Sequence, residues 1–554
     1  MSGRAIFFVI RIHFRYADNS LELCLSNLKL TIMRGKIRLM LMALLVMSCS
    51  GNGMEPVDGV DYQYGRQLSH EKIVLGARLE NPYKTENITK ALQELYPTKA
   101  DRVEVKTTDL YVRFLPKNEI ELEILKEQGI IMTDHPLDYE ILKDGDWYHD
   151  PEVPDDMMTW QYAVVPKDFV FPDMEYELID ECHISGTATR SDDGIDWDAV
   201  ERQAYVLTGN SDYILPETKA EKASPSGRIT IVDEDHNDGK PVGVKGVRVS
   251  CNTFVKFDHA YTDEDGYYKM KKTFSSQLQY RLVFENVKDF SIGFNMILSP
   301  ASSSTLGKAS VSGVNMTVTK SSESKLFKRC VVNNAAYDYY VRCSSKDMNI
   351  SLPPKDLRIW LFHKLQSSSS VMLHHGAVLD MSVVSDFLGD FAPLLRIFLP
   401  DLTLGMDKKD DYKSIYAETC HELAHASHFS RVGTDYWNNF ILYVLGSYIS
   451  TGGMTYGDGA GMNAGYCEVG EMWAYYLSAK IWHDRYGGDY PSFGTSFWFY
   501  PQILRFLDEK GLKCGYIFSV LDRNVNSKDA LMRALMTRYP DKTDIIEQVF
   551  NRYI

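Results

Sequence analysis

The chain of 554 residues lacks any apolar run long enough to cross a bilayer, which takes about 20 consecutive residues as a helix. It is short of positive charge: 60 Lys and Arg stand against 75 Asp and Glu, for a formal net charge of −15. Nucleic-acid binding needs a basic face, so the chain is a poor candidate for it, and the acidity is read as a solubilising surface. Cysteine is scarce, at nine residues, and no spacing matches a C-x-x-C zinc knuckle. Beyond Cys49 there remain Cys182, Cys251, Cys330, Cys343, Cys420, Cys467 and Cys514. Seven thiols cannot all pair internally, which excludes a disulfide scaffold, although Cys330 and Cys343 could form one bridge. Apolar and aromatic residues are plentiful, at 44% and 12%, so disorder is not expected over most of the length. At roughly 100–200 residues per domain the length predicts about three domains.

The N-terminal region carries a targeting signal. Met33 opens MRGKIRLMLMALLVMSC, with Arg34, Lys36 and Arg38 ahead of an apolar run from Leu39 to Met47. That run has the size of a signal-peptide core and is too short to span a membrane. Its end, Val46-Met47-Ser48-Cys49, resembles the lipobox of bacterial lipoproteins, with Met47 a loose fit to the usual small residue. The resemblance implies cleavage before Cys49, lipid on its sulfur and a place in the bacterial cell envelope, on the periplasmic or the surface side. Met33 is then the expected start, and residues 1–32 an upstream extension without a role. Cleavage removes seven basic and two acidic residues and takes the net charge to about −20.

Gly-rich, polar residues 49–65 are expected to form a tether, followed at 66–226 by an α+β domain and linker. Within that domain DLYVRF reads as a strand, NEIELEILKEQG as a short helix stopped by Gly129, and IIMTDHPLDYEI as a further strand pair. The Trp-, Tyr- and Pro-rich stretch from Trp147 to Pro172 reads as packing over a domain face or as a binding loop. Residues 227–320 alternate in short apolar runs punctuated by Asp238-Gly239, Lys240-Pro241 and Asp265-Gly266, the pattern of a β-sandwich. GVKGVRV (243–249) and TDEDGYY (262–268) resemble the carboxypeptidase regulatory-like family, which implies a prealbumin-like accessory sandwich. The acidic TDEDG lacks the spacing of a calcium loop and is read as a tight turn. Residues 321–554 open with strand-like DLRIWLFH, SSSVMLHHG and RIFLPDLTLGM and turn helical after Asp410, with Asn526-Ser527 and Asp541 at N-cap positions and Gly487-Gly488 ending a long helix.

The chemistry lies in YKSIYAETCHELAHASHFSRVG, residues 412–433. It holds H-E-x-x-H as His421, Glu422 and His425. Residues four apart share one helix face, so both imidazoles can converge on one ion. Zn2+ suits imidazole nitrogen, and a catalytic site takes a third protein ligand and keeps a position open for water. Glu422 is placed to act on that water as catalytic base. By chance the pentad would occur in roughly a few per cent of such chains. Its context carries more weight: apolar Ile415, Leu423 and Ala424, small Ala426 and Ser427, and Gly433 as a stop. The metzincin continuation fails, because position 431 is Arg, and His428 is read as packing or as support for the ligands.

The later helical stretch GYCEVGEMWAYYLSAKIWHDRYGG (465–488) contains Glu471, Ala474 and Tyr475-Tyr476. This E-x-x-A with neighbouring aromatics resembles the second ligand helix of the gluzincin metallopeptidases. The resemblance covers two helices and implies Glu471 as third zinc ligand, with Glu468 one turn earlier as its rival. The gap after His425 exceeds that of thermolysin-like members, so a close thermolysin relative is excluded. Cys420 and Cys467 are read as small buried hydrophobes, or as a thiol pair near the metal. Tyr456, Tyr466 and His483 are candidate proton donors, none with a motif.

The expected architecture is therefore multidomain α+β: an N-terminal α+β domain, a prealbumin-like β-sandwich, and a zincin-like, mostly α domain with a small sheet whose edge could align a peptide. The expected activity is zinc-dependent hydrolysis of a peptide or protein substrate, with no nucleic acid as partner. The domain mixture resembles surface lipoproteins of Bacteroidetes-type bacteria. Three rivals stand: a glycan- or protein-binding lipoprotein with an inactive zincin domain, a structural metal, and a zinc hydrolase of another acyl bond. An intact Glu422 argues against the first, and the want of four Cys or His ligands against the second. Oligomeric state is not readable from the residues.

Overall fold

A computed structural model describes residues 72–100, 103–145, 147–154, 157–185, 194–215, 222–294, 301, 303–362, 368–377, 399–451, 456–490 and 497–553. The leader, Cys49 and the tether lie outside them. The protein is a mixed α+β chain whose described residues form four sheets. No described helix is long and apolar enough to cross a membrane.

The first elements are β1 (Val74–Arg78), α1 (Thr85–Leu95), α2 (Pro97–Ala100), β2 (Asp109–Phe114), α3 (Glu119–Glu127), β3 (Met132–Thr133), β4 (Tyr139–Lys143), β5 (Gln161–Pro166), β6 (Tyr176–Cys182) and α4 (Trp197–Leu207). An antiparallel sheet runs β3-β5-β2-β6. Successive β2 residues point to opposite faces. Val112 and Phe114 pack against Leu125 of α3, whereas Tyr111 joins Trp160, Tyr162, Tyr83 and Tyr205 on the other side. Asn118 caps α3 by accepting from the Glu121 N–H, and Gly129 supplies the positive φ that follows it. The expected strand pair in IIMTDHPLDYEI is not a pair: β3 joins β5, whereas β4 joins β1 in a separate two-stranded sheet. Pro136 interrupts the stretch, so its two strands serve different sheets. The Trp147–Pro172 stretch contains β5, and Trp160 is buried beneath the Arg113 guanidinium at 4.1 Å. In the polar stretch 186–226, α4 buries Val200 and Ala204 against Ile88, Ala91 and Leu92 of α1.

Next come β7 (Ser226–Ile231), β8 (Val242–Gly243), β9 (Val247–Thr253), β10 (Lys256–Tyr261), β11 (Tyr267–Lys269), β12 (Leu278–Asn286), β13 (Phe290–Phe294), β14 (Ser303–Ala309) and β15 (Met316–Val318). β11-β7-β15, with β8 on β7, form one sheet; β10-β9-β12, with β13 and β14 sharing the far side of β12, form part of another. Ile229, Ile231 and Tyr268 of the first share a core with Val249, Cys251, Tyr280 and Leu282 of the second. In the TDEDG turn, Asp263 Oδ1 accepts from the N–H groups of Asp265 and Tyr267 at 3.0 and 2.8 Å. The β9–β10 turn carries Phe254 and Val255 into the core beside Tyr205, each burial contributing about 1.5–3 kcal/mol. Beside it, Lys256 Nζ meets Glu201 Oε2 of α4 at 2.9 Å, both side chains buried.

The larger sheet continues. After α5 (Ser324–Cys343), β16 (Leu357–Phe362) pairs in parallel with β13, β18 (Leu402–Gly405) in parallel with β16, and β17 (Ser369–Ser370) antiparallel with β18 at the edge. Position 320, where the sandwich was expected to end, thus lies between strands of one continuous sheet. The remaining helices are α6 (Tyr412–Val432), α7 (Thr434–Thr451), α8 (Ala464–Tyr486), α9 (Gln502–Glu509), α10 (Cys514–Val520), α11 (Lys528–Arg538) and α12 (Thr543–Phe550). Helix α6 packs against β17, β18, α5 and α8. Ser527 caps α11 through the Ala530 N–H, and Gly487 ends α8 at φ +69°. Asp541 does not cap α12: it sits within a short 3₁₀ turn that Pro540 starts ahead of that helix. The bridge considered between Cys330 and Cys343 does not form. Both lie on α5, about 20 Å apart along its axis, far beyond disulfide reach.

Candidate metal centre

Helix α6 presents the motif. Asp411 starts it by accepting from the Ser414 N–H, and Gly433 ends it at φ +81°. Between them His421 and His425 lie on one face, with ring centroids 4.9 Å apart. Helix α8 crosses α6 and brings a third side chain. Glu471 Oε2 is 3.6 Å from His421 Nε2, and Glu471 Oε1 is 3.5 Å from His425 Nε2. The crossing is pinned by Trp473 of α8, whose Nε1–H donates to the Ala424 carbonyl at 3.1 Å. On the other side, Trp437 and Phe440 of α7 wall in the His425 ring at 5.7 and 5.6 Å.

His421, His425 and Glu471 form a buried group that could hold a metal ion, with ligand atoms all within 4.8 Å of one another. Ligands about 2.0–2.1 Å from a tetrahedral ion stand roughly 3.3 Å apart, and the histidine–glutamate separations are close to that. His421 Nε2 is buried without a hydrogen-bond partner, an arrangement that is costly unless something else occupies the nitrogen. Burial works against ionising Glu471, but the two imidazoles more than offset it and hold the carboxyl down to about 2. Burial lowers the pKa of His425 and keeps its imidazole neutral. Burial also works against charging His421, but Glu471 and Glu422 outweigh it and raise its pKa, so a metal ion bound there would displace a proton from that imidazole.

Glu422 is fully buried next to this group. Burial, then the nearby Glu418, pushes its carboxyl up to about 8, with His421 and Ser370 opposing. Ser370 Oγ lies 2.8 Å from Glu422 Oε2 and 2.9 Å from its backbone oxygen. Glu422 Oε1 is buried with no hydrogen-bond partner.

The other residues singled out from the sequence separate. Glu468 is turned away, and its Oε2 accepts from the Lys528 backbone N–H at 2.7 Å. His428 is buried against Tyr436 and Trp437, at 5.2 and 6.1 Å, and belongs to no ligand group among the described residues. Burial pushes its imidazole down to about 3 and keeps it neutral. Cys420 and Cys467 are unbridged and fully buried, and burial raises both thiols far from reactivity. Tyr466 packs on Tyr436, and His483 stacks on Tyr490 about 18 Å along α8 from Glu471. Tyr456 stands nearer, its hydroxyl 3.2 Å from that of Tyr475, whose ring meets the His421 ring edge-on at 4.6 Å. Ser370 is the residue that sequence reasoning missed. It is the last of four consecutive serines, and nothing in that run distinguishes the one that faces Glu422.

Comparison of the chain with family models, with curated proteins and with solved structures yields no match.

Proposed function

We propose that the protein is a zinc-dependent metallopeptidase of the gluzincin type, with His421, His425 and Glu471 as ligands and Glu422 as general base. The observation that carries this reading is the buried group on two crossing helices, flanked on the motif helix by a buried carboxyl with one oxygen unpartnered. Two imidazoles and one carboxylate suit Zn2+ and leave a fourth position for water or substrate. Bound there, zinc would polarise the scissile carbonyl and acidify a water. Glu422 takes the proton of the attacking water and delivers it to the leaving amine nitrogen.

In this reading β16 to β18 and α5 to α12 make up the zincin-like part, and the paired sheets from β7 to β15 a regulatory-like accessory sandwich. An extended peptide adds to the edge strand β17. The leader motif supports lipid attachment at Cys49 and a bacterial envelope location. The test is elemental analysis of the purified protein together with cleavage of a peptide library by wild type and Glu422→Gln. About one zinc per chain in both proteins, with cleavage lost roughly 10²–10⁴-fold in Glu422→Gln, is the expected result. A protein that takes up no zinc after reconstitution refutes the reading.

A further inference from the structure

Ser370 is not one of the three grouped ligands, and among the described residues its hydroxyl is the one side-chain donor to the Glu422 carboxylate, at 2.8 Å. The serine is held from two sides. Its backbone pairs with Leu402 across β17 and β18, and its carbonyl accepts from Trp437 Nε1 at 2.9 Å. Trp437 is fully buried between this strand and the His425 ring. The hydroxyl thus belongs to a fixed edge strand and reaches a carboxyl on a fixed helix.

A glutamate side chain has three rotatable bonds, and a base must present one chosen oxygen to the proton it removes. Here Oε2 is occupied by Ser370, whereas Oε1 is buried and unpartnered. A hydrogen bond from a fixed hydroxyl selects one carboxyl rotamer and leaves Oε1 as the oxygen for the water. The same hydroxyl proton is shared with the backbone oxygen of Glu422 at 2.9 Å, so both acceptors of this three-centre bond belong to Glu422 and fix the serine against that residue.

We infer that Ser370 is a positioning residue for the general base: it anchors Oε2 of Glu422 so that Oε1 faces the reacting water. The inference rests on the proposed metallopeptidase activity. It concerns orientation, so its loss lowers turnover and leaves metal and substrate binding in place.

The experiment compares full-length wild type, Ser370→Ala and Ser370→Thr in zinc content, thermal unfolding, kcat and KM, with a crystal structure of zinc-loaded Ser370→Ala. Threonine keeps the hydroxyl and suits a strand. In Ser370→Ala the expected result is unchanged zinc stoichiometry, KM within about twofold, kcat lowered at least about tenfold, and a Glu422 carboxyl that is rotated or split. Ser370→Thr recovers most of the turnover. An unchanged kcat in Ser370→Ala overturns the inference, as does Ser370→Thr falling as low as Ser370→Ala, because packing would then be the cause. If Ser370→Ala does not fold, Ser370→Thr decides alone: near-wild-type turnover supports the hydroxyl, and loss in a folded, zinc-loaded protein refutes it. A wild type that neither holds zinc nor cleaves peptide refutes the metallopeptidase reading itself, a result separate from unequal or equal turnover among active variants.

Discussion

Glu468 Oε2 accepts a hydrogen bond at 2.7 Å from the backbone N–H of Lys528, the first residue of α11. One helical turn away, Glu471 faces the two histidines. The two acids therefore have separable effects. Glu468→Ala is expected to keep the metal and cost about 0.5–2 kcal/mol, the usual loss for a helix N-terminal acceptor. Glu471→Ala is expected to lose the metal. Elemental analysis beside urea denaturation checks both.

The buried pair Lys256–Glu201 ties α4 to β10, and Glu201 Oε1 also accepts from the Tyr83 hydroxyl at 2.7 Å. Lys256→Met leaves a carboxylate buried without its countercharge and is expected to cost about 3–5 kcal/mol. Replacing both partners, as Lys256→Met with Glu201→Leu, is expected to recover much of that loss. A double-mutant cycle in urea measures it, and a double variant no more stable than Lys256→Met alone contradicts the account.

Gly266 closes the TDEDG turn at φ +84°, and a Cβ there would stand 2.0 Å from the Ile229 carbonyl oxygen. Strain and clash act together, so Gly266→Ala is expected to cost about 2–3 kcal/mol. Gly129 has a similar φ of +74° with nothing within 4 Å of a Cβ. Gly129→Ala should therefore cost less, about 1 kcal/mol, from backbone strain alone. Thermal unfolding of the two variants gives the order.

His375 Nδ1 lies 2.9 Å from the buried Asp401 carboxylate, next to β18. Burial lowers the imidazole pKa, but Asp401 outweighs it and the folded value ends above the ordinary 6.5. The contribution to stability is thus full below about 6.5 and fades as pH rises through the folded-state value. The stability gap between wild type and His375→Gln is expected to be larger at about pH 6 than at about pH 8. Denaturant titrations at both values test this, and a gap that grows with pH contradicts it.

Legibility along the chain followed the kind of interaction. Strand β2, helix α3 and the caps at Ser527 and Gly487 were readable because alternation, a capping side chain and a terminal glycine are local signals. Helix α5 was not read, although it is 20 residues long. It is buried on nearly every side, polar residues included: Lys328 donates to the Met406 carbonyl, and Asn334 to the Gly243 carbonyl. Polar groups satisfied by distant partners erase the one-sided stripe that marks a surface helix. The passage of one sheet from β13 to β16 escaped for a similar reason, since parallel pairing between segments about 70 residues apart leaves no local pattern.

By itself, the sequence determined the motif helix: two histidines four apart, a glutamate between them and a stop at Gly433, all set by helix geometry within about 20 residues. It also supplied a second helix with two acids one turn apart. Which acid meets the histidines, and that Ser370 reaches Glu422, only the tertiary structure decided. The rotation of α8 against α6 and the placement of an edge strand come from packing around Trp473 and Trp437, and such contacts between distant segments are written in no single stretch of chain.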